Sequence, residues 1–397
     1  MRTDTATSKK SSGYSASAPA VSLPKGGGAI AGIGEKFSVN PVTGTSSLSV
    51  PIAVSPGRGF APELAVSYDS GAGNGIFGMG WNIGVPSISR KTQKGLPQYR
   101  DAEDSDVFLL SGAEDLVPLL KPGTGTLGWD REILDNVNVP ADVVDTQLVT
   151  VAALLASYPS SGVYTVKRYR PRTEGLFARI EQWTHDVTGD VHWRTITPDN
   201  TTSVYGKDEN SRIADPDEPS RVFEWLLCES YDDKGNVIVY RYKAEDSAEV
   251  NRAAPQERNR YDSERGTDSG SLKYTNRYLK QIQYGNRTPY QRSNWLFQVV
   301  FDYGEHGQYD AAGVETKPPT PELVVDWAIR QDAFSSYRSG FEIRTQRLCR
   351  RSLMFHRMDE RGGIDDSSRS NYKDWYLVGA TEFEYDENPV ATYLMSG

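Results

Sequence analysis

The chain has 397 residues, 37% of them hydrophobic, with 22 Tyr, 12 Phe, 8 Trp, 36 Gly and 22 Pro. Aromatic residues favour strands while Gly and Pro punctuate turns and break helices, so this length predicts one large β unit or two fused ones. A net charge of −9 argues against nucleic acid or anionic membrane as the main partner, because binding phosphate needs a basic surface.

Residues 1–22, MRTDTATSKKSSGYSASAPAVS, are Ser, Thr, Ala and Lys with little to bury, which predicts a disordered tail. They contain no apolar region of a cleavable signal, and no stretch of the chain approaches the roughly 18 apolar residues of a membrane span. The expected protein is therefore soluble, made in the cytoplasm and not inserted into a membrane. If it reaches the extracellular space, it does so without a cleavable N-terminal signal.

A β-rich domain is expected over residues 23–397. From Leu23 the chain alternates short apolar runs with Gly and Pro, the pattern of a meander with tight turns, and Ser47–Val54 and Leu64–Tyr68 are its clearest strands. The glycine block follows. Between Phe60 and Trp81 the chain reads FAPELAVSYDSGAGNGIFGMGW, with Gly71, Gly73, Gly75, Gly78 and Gly80 closed by Trp81. Gly73-x-Gly75-x-x-Gly78 completes the spacing of a dinucleotide loop, but Gly80, Gly84 and Pro86 forbid the helix whose N-terminus would hold a phosphate. Tightly turned β structure is the reading that remains.

VPSISRKTQ, DVFLL and Val117–Leu120 continue the strands, and VDTQLVTVAALLASY is ambiguous between helix and strand because short apolar runs have no decisive period. VYTVKRYR, LFARIEQWTH, VHWRTITP and TSVYGK then succeed one another at about ten-residue spacing, as in an all-β sheet with one face buried. Residues 245–271 are charged and almost free of aliphatic side chains, which predicts a mobile surface insertion. YLKQIQYGNR, NWLFQVVFDYGE, FEIRTQRLCRRSLMF and WYLVGATEFEYDEN complete the series.

One hairpin is sharper than the rest. In ESYDDKGNVIVYRY a strand ends at Tyr231, Asp232 offers side-chain bonds to the turn, Gly235 offers a left-handed conformation, and after Asn236 the chain alternates back along its partner. Echoes occur at Val66–Gly71, Gln281–Asn286, Val300–Glu305 and Phe383–Asn388. The pattern is similar to the tyrosine-aspartate repeat of Rhs proteins, whose stacked hairpins wind into a hollow shell. A repeat-like sheet of this kind leaves an exposed edge unless a neighbour covers it.

With these motifs the chain resembles the N-terminal domain shared by the SpvB-type virulence proteins and the B subunits of insecticidal toxin complexes (Tc toxins). The resemblance covers nearly all of Leu23–Tyr393. It rests on LPKGGGAIAGIGE, PIAVSPGRGFAPELAVSYDSGAGNGIFGMGW, GLPQY, YTVKRYRPRTEG, RIADP, YLKQIQYGN, WLFQVVFDYGE, AIRQDAFSSYRSGFEIRTQRLCRRSLMFH and EYDENPV. The tail and residues 121–158 share no such pattern. The resemblance implies a mainly β fold, with antiparallel hairpins in a large twisted sheet, few short helices and a shell segment of Rhs type. It implies a structural part in a secreted toxin complex whose partners are an A-type pore-forming subunit and a C-type Rhs protein carrying the effector. A module that binds a secretion partner or host surface alone is the alternative. In the virulence proteins the equivalent region precedes a separate ADP-ribosyltransferase, which these 397 residues are not expected to include.

No residue set in the sequence assembles a catalytic, cofactor or metal site. His185 and His192 with Asp186 and Asp190 could imitate metal ligands, but their spacing is that of hairpin arms rather than of a helical HExxH. Glu382 and Glu384 copy the acidic pair of transferases without the accompanying Ser-Thr-Ser strand, and residues two apart in a strand face the same way, as solvated carboxylates do. Cys228 and Cys349 each sit in an apolar run and are expected as buried thiols.

Overall fold

The computed structural model describes residues 36–39, 45–112, 114–123, 129–139, 162–257, 274–309, 315–317, 319–358 and 375–395. The expected tail and the ambiguous helix-or-strand segment lie outside them. The described residues are strands and loops, with two three-residue 3-10 turns, Asp101–Glu103 and Glu209–Ser211.

Eight strands close into a barrel. In ring order they are Ser87–Arg90, Phe108–Leu110, Glu114–Pro118, Gly162–Pro171, Arg179–His185, Val191–Ile196, Thr202–Tyr205 and Val222–Tyr231, and the last pairs with both its predecessor and the first. Every pairing is antiparallel, and an even number of strands is what lets an antiparallel sheet close without a mismatch. Alternation along the strands sends Ile88 and Arg90 inward, while Ser87 and Ser89 face outward.

Aromatic rings fill the interior. Phe108, Tyr169, Trp193 and Trp225 come from four different strands, and Trp193 has its centroid 4.8 Å from Phe108, 5.1 Å from Tyr169 and 6.0 Å from Trp225. The rings are tilted or edge to face, the arrangement their quadrupoles favour. Arg90 is buried over Tyr99 and Phe108, pairs with Asp101 at 2.6 and 2.8 Å and with Asp106 at 2.7 Å, and donates to the Val222 carbonyl at 2.7 Å. Each of its nitrogens therefore has an acceptor, which makes burial of the charge tolerable.

The strand Val222–Tyr231 also starts a second sheet. One of its edges pairs Glu224–Leu226 with Ser87–Ser89, then passes to Val237–Val239, which pair with Glu229–Tyr231. From there the sheet runs antiparallel through Val237–Ala244, Arg277–Asn286, Trp295–Asp302 and Arg351–Arg357 to Trp375–Glu382. Where the two neighbours diverge, the Leu227 carbonyl is taken by the Tyr242 hydroxyl at 2.8 Å. A four-stranded sheet of Lys36–Val39, Ser46–Pro51, Ala65–Asp69 and Trp81–Ile83 adds Val66 to the main core, and the segments that join its strands add Ile52, Leu64 and Phe77.

Two expectations need correction. The run FEIRTQRLCRRSLMF is not one strand: Ile343–Thr345 and Arg351–Arg357 are separate, because backbone groups between them bond outside any ladder, Cys349 N–H to the Ile76 carbonyl and Arg350 N–H to the Asp302 carbonyl. The insertion expected to be mobile at 245–271 is described as far as Glu257, and in that part Glu245, Ser247 and Glu257 are buried. Glu245 pairs bidentately with Arg347, whose guanidinium stacks 4.3 Å over Trp327, and Glu257 accepts from Arg344 at 2.7 Å. Two of the charges that made the segment look solvated, Glu245 and Glu257, are one half of buried ion pairs whose other halves, Arg347 and Arg344, lie about a hundred residues on.

Tyr242→Phe keeps the ring and strands the Leu227 carbonyl. Denaturant unfolding should show a loss of about 1–3 kcal/mol, the desolvation penalty of an unpaired buried acceptor, whereas a change near zero would mean that water or another donor serves the fork.

Candidate functional site

The glycine block turns the chain back on itself twice. Asp69 ends its strand and its Oδ1 accepts the Gly71 N–H at 2.7 Å; Asn74–Gly75 and Gly78–Met79 then form a minimal hairpin. At its tip Phe77 is fully buried against Phe383, with centroids 5.1 Å apart. Gly75, Gly78 and Gly80 carry the requirement for glycine. Gly78 has φ +86° and a Cβ there would sit 2.8 Å from the Thr392 carbonyl oxygen; Gly80 has φ +80° and a Cβ would sit 2.5 Å from the Tyr68 ring. Gly71 and Gly75 complete the turns without left-handed backbone, yet a Cβ at Gly75 would sit 2.6 Å from the Trp81 carbonyl oxygen; Gly73 borders open space, and the Trp81 ring leans on Tyr68 at 5.3 Å. The site is a docking point for other parts of the chain, and no helix follows it.

The chain segments that dock there meet at Asp332. Arg330, buried beneath the hairpin, donates to the Gly75 carbonyl at 2.6 Å and to Asn74 Oδ1 at 2.8 Å while pairing with Asp332 at 2.7 and 3.0 Å. Asp332 also accepts from Asn74 Nδ2 at 2.7 Å, and from the Thr392 N–H and hydroxyl at 2.7 and 2.8 Å. The Thr392 carbonyl in turn receives the Met79 N–H at 2.8 Å. Hydrogen bonds from Arg330, Asn74 and Thr392 outweigh burial and hold the Asp332 carboxyl well below the ordinary carboxylate range. Sequence reasoning gave Arg330 and Asp332 no role. Their spacing of two in an extended segment, which puts both side chains on one side, was the available signal.

The second predicted motif folds as a turn closed by its own aspartate. Asp232 Oδ1 accepts the N–H groups of Lys234 and Asn236 at 3.0 and 2.8 Å, and Oδ2 accepts from Asn236 Nδ2 at 2.7 Å. Gly235 has φ +79° and lies against Pro289 and Tyr290 of the next hairpin, and Tyr231 is buried with its hydroxyl accepting from Arg194 at 2.9 Å. Asp302, in the echo at Val300–Glu305, does the same work for Gly304, Glu305 and His306 at 2.8, 2.9 and 3.2 Å. The aspartate after the aromatic is thus a turn cap at Asp69, Asp232 and Asp302.

The groups considered for catalysis are dispersed. His185 Nδ1 accepts the N–H of Val187 and Thr188 at 3.3 and 3.1 Å and so caps its hairpin. His192 is buried beside Trp183 and Tyr164, and desolvation drives its pKa well below the ordinary value. Asp186 receives the Thr165 hydroxyl, and Asp190 pairs with Arg212 at 3.0 Å. Among the described residues no three His, Cys, Asp or Glu side chains gather as metal ligands. Glu382 and Glu384 are exposed, and Cys228 and Cys349 are free buried thiols, Cys228 pushed up by burial to about 12.

Gly80→Ala should cost at least about 1–2 kcal/mol for the left-handed backbone alone, with the Tyr68 clash adding to it, whereas Gly73→Ala should be neutral or slightly stabilising; paired thermal melts test the contrast. Asp332 binds fewer protons folded than unfolded, so its contribution is complete above about pH 4 and declines as the pH falls towards its folded value. Asp332→Asn should therefore lower the melting temperature at neutral pH and flatten the acid limb of the stability curve.

The family described as Salmonella virulence plasmid 65kDa B protein, SpvB, matches residues 40–358. The mono(ADP-ribosyl)transferase SpvB of Salmonella choleraesuis (strain SC-B67) is 37% identical over 385 residues, covering 94% of this chain and 55% of that protein. The chain thus spans about half the length of the curated relatives it matches. The N-terminal domain of effector protein SpvB from Salmonella typhimurium strain LT2 superposes with a TM-score of 0.68 at 36% identity, covering 88% of this chain and 96% of that one. TcdB2-TccC3 superposes with a TM-score of 0.71 at 32% identity, covering 95% of this chain and 16% of that one, as does the Photorhabdus luminescens Tc holotoxin pore. With its β architecture and its match over residues 40–358, the chain belongs to the SpvB family and is a toxin-complex relative.

Proposed function

We propose that this chain is a non-catalytic structural module of a secreted bacterial toxin complex, the leading part of a B-subunit-like shell that encloses and helps deliver a cytotoxic effector. The observation that carries this reading is the asymmetry of the main sheet. One end is closed as a barrel, and the other ends on the eight-residue strand Trp375–Glu382, whose outer edge has no strand partner among the described residues. Tyr376 and Val378 on that strand are 43% and 46% exposed. A long strand with unpaired N–H and C=O groups and apolar side chains favours pairing with further chain. The Tc matches support the same reading, since this fold fills 95% of the chain here and 16% of the chain there.

Its partners on this reading are an A-type pore-forming subunit and a C-type Rhs protein with its effector. A module that binds a partner or host surface alone is the second reading, favoured by exposed Trp129 and Phe177, 59% and 74% accessible.

Co-expression with A- and C-type subunits followed by size-exclusion chromatography should return this chain in the large species, and Val378→Lys together with Tyr376→Lys should reduce its share. A chain that stays monomeric beside assembled partners overturns the shell reading. NAD hydrolysis by the purified chain that disappears in Glu384→Ala overturns its non-catalytic part.

A further inference from the structure

Where the strand Val222–Tyr231 forks, a cleft of about 500 Å³ opens between the outer face of the barrel, the N-terminal sheet and the sheet extension. Trp225 takes the inward position, so Glu224 and Leu226 face outward into this space. Ser89 lies directly across the ladder from Glu224, with Ser87 on the same face. Ile83 and Leu279 supply apolar walls from the other two bodies.

Glu224 is the anomaly in this cleft. Its Oε1 accepts the Ser87 hydroxyl at 2.6 Å, and among the described residues no cation pairs with it. Arg277 lines another wall, but its guanidinium donates to the carbonyls of Glu209, Thr275 and Asn276 at 3.4, 3.1 and 3.2 Å. Burial raises the Glu224 carboxyl from its ordinary value, with the Ser87 bond acting against it. A half-buried carboxyl with one neutral donor is disfavoured once ionised, in contrast to Arg90 and Asp332, which are fully partnered.

We propose that the fork cleft is a receptor for a lysine side chain presented by a peptide segment, its ammonium pairing with Glu224 and its methylenes lying along Leu226, Ile83 and Leu279. Ammonium fits better than guanidinium because Oε1 already serves Ser87. What remains is one carboxylate oxygen with two serine hydroxyls nearby, a set that suits three rotatable donors rather than a planar fork. The inference does not depend on the shell reading, since the cleft is complete within this chain.

The test uses the purified chain, N-acetyl-lysine methylamide and its uncharged analogue N-acetyl-norleucine methylamide, with the carboxyl resonances of carbon-13-labelled glutamate as readout. The lysine compound should shift, saturably, one resonance that is absent from Glu224→Gln. The norleucine compound should leave it in place, and Glu224→Gln should weaken lysine binding about tenfold or more, as expected on losing a charge-assisted bond. Because the ionised carboxyl is destabilising where it sits, Glu224→Gln should hold or raise the melting temperature at neutral pH, which separates lost binding from lost folding. No saturable shift, an equal response to norleucine, undiminished binding in the variant, or a lowered melting temperature each overturns the proposal.

Discussion

Asp332 gathers five hydrogen bonds from three stretches of chain, its partners Asn74 and Thr392 lying 258 and 60 residues away. The glycine hairpin, the loop after the fourth extension strand's predecessor and the end of the described chain are therefore one mechanical unit. The hairpin needs glycine at positions 78 and 80 because the Thr392 carbonyl and the Tyr68 ring come so close, and they come close because Arg330 and Asp332 draw the segments together. The wider lesson is that the core is fastened by charge as well as by apolar contact: Arg90, Arg330 and Arg347 are all buried, and each has carboxylate and carbonyl acceptors in place. Such sites contribute less to net stability than to fixing one arrangement, since breaking one partner leaves the other charged and dry.

Strands such as Ala65–Asp69, Val191–Ile196, Arg277–Asn286 and Trp295–Asp302 were legible because alternation and turn residues are local properties. The Asp232 turn was legible for the same reason, and the glycine block read as tightly turned β structure because no helical pattern follows it, in keeping with the hairpin that Asn74–Gly75 and Gly78–Met79 form. Barrel closure was not, because it depends on Val222–Tyr231 finding both Thr202–Tyr205 and Ser87–Arg90, and nothing local marks those pairings. The segment at 245–257 misled because composition reports charge without its partner: Glu245 and Glu257 look solvated until Arg347 and Arg344 are in place.

One strand holds the two sheets together. Along one edge Val222–Tyr231 gives its first half to the barrel and its second half to the extension, while its other edge stays with the barrel strand Thr202–Tyr205, so the neighbours on the shared edge must part company at Leu227, and Tyr242 fills the gap with a hydroxyl. A ladder that divides in this way cannot pack solidly behind the division, because two sheets leaving one strand diverge with their own twists. The cleft that receives Glu224 is the space this divergence leaves.

The ring also imposes an order in time. Ser87 and Glu224, which meet across its seam, are 137 residues apart, and no shorter loop closes it. During synthesis the strands from Ser87 onward must wait for Val222–Tyr231 to emerge, with one edge unpaired throughout, while the neighbouring hairpins from Gly162 to Tyr205 complete themselves locally. Sealing the barrel is in this sense a late event that the ribosome, and not the stability of any single hairpin, schedules.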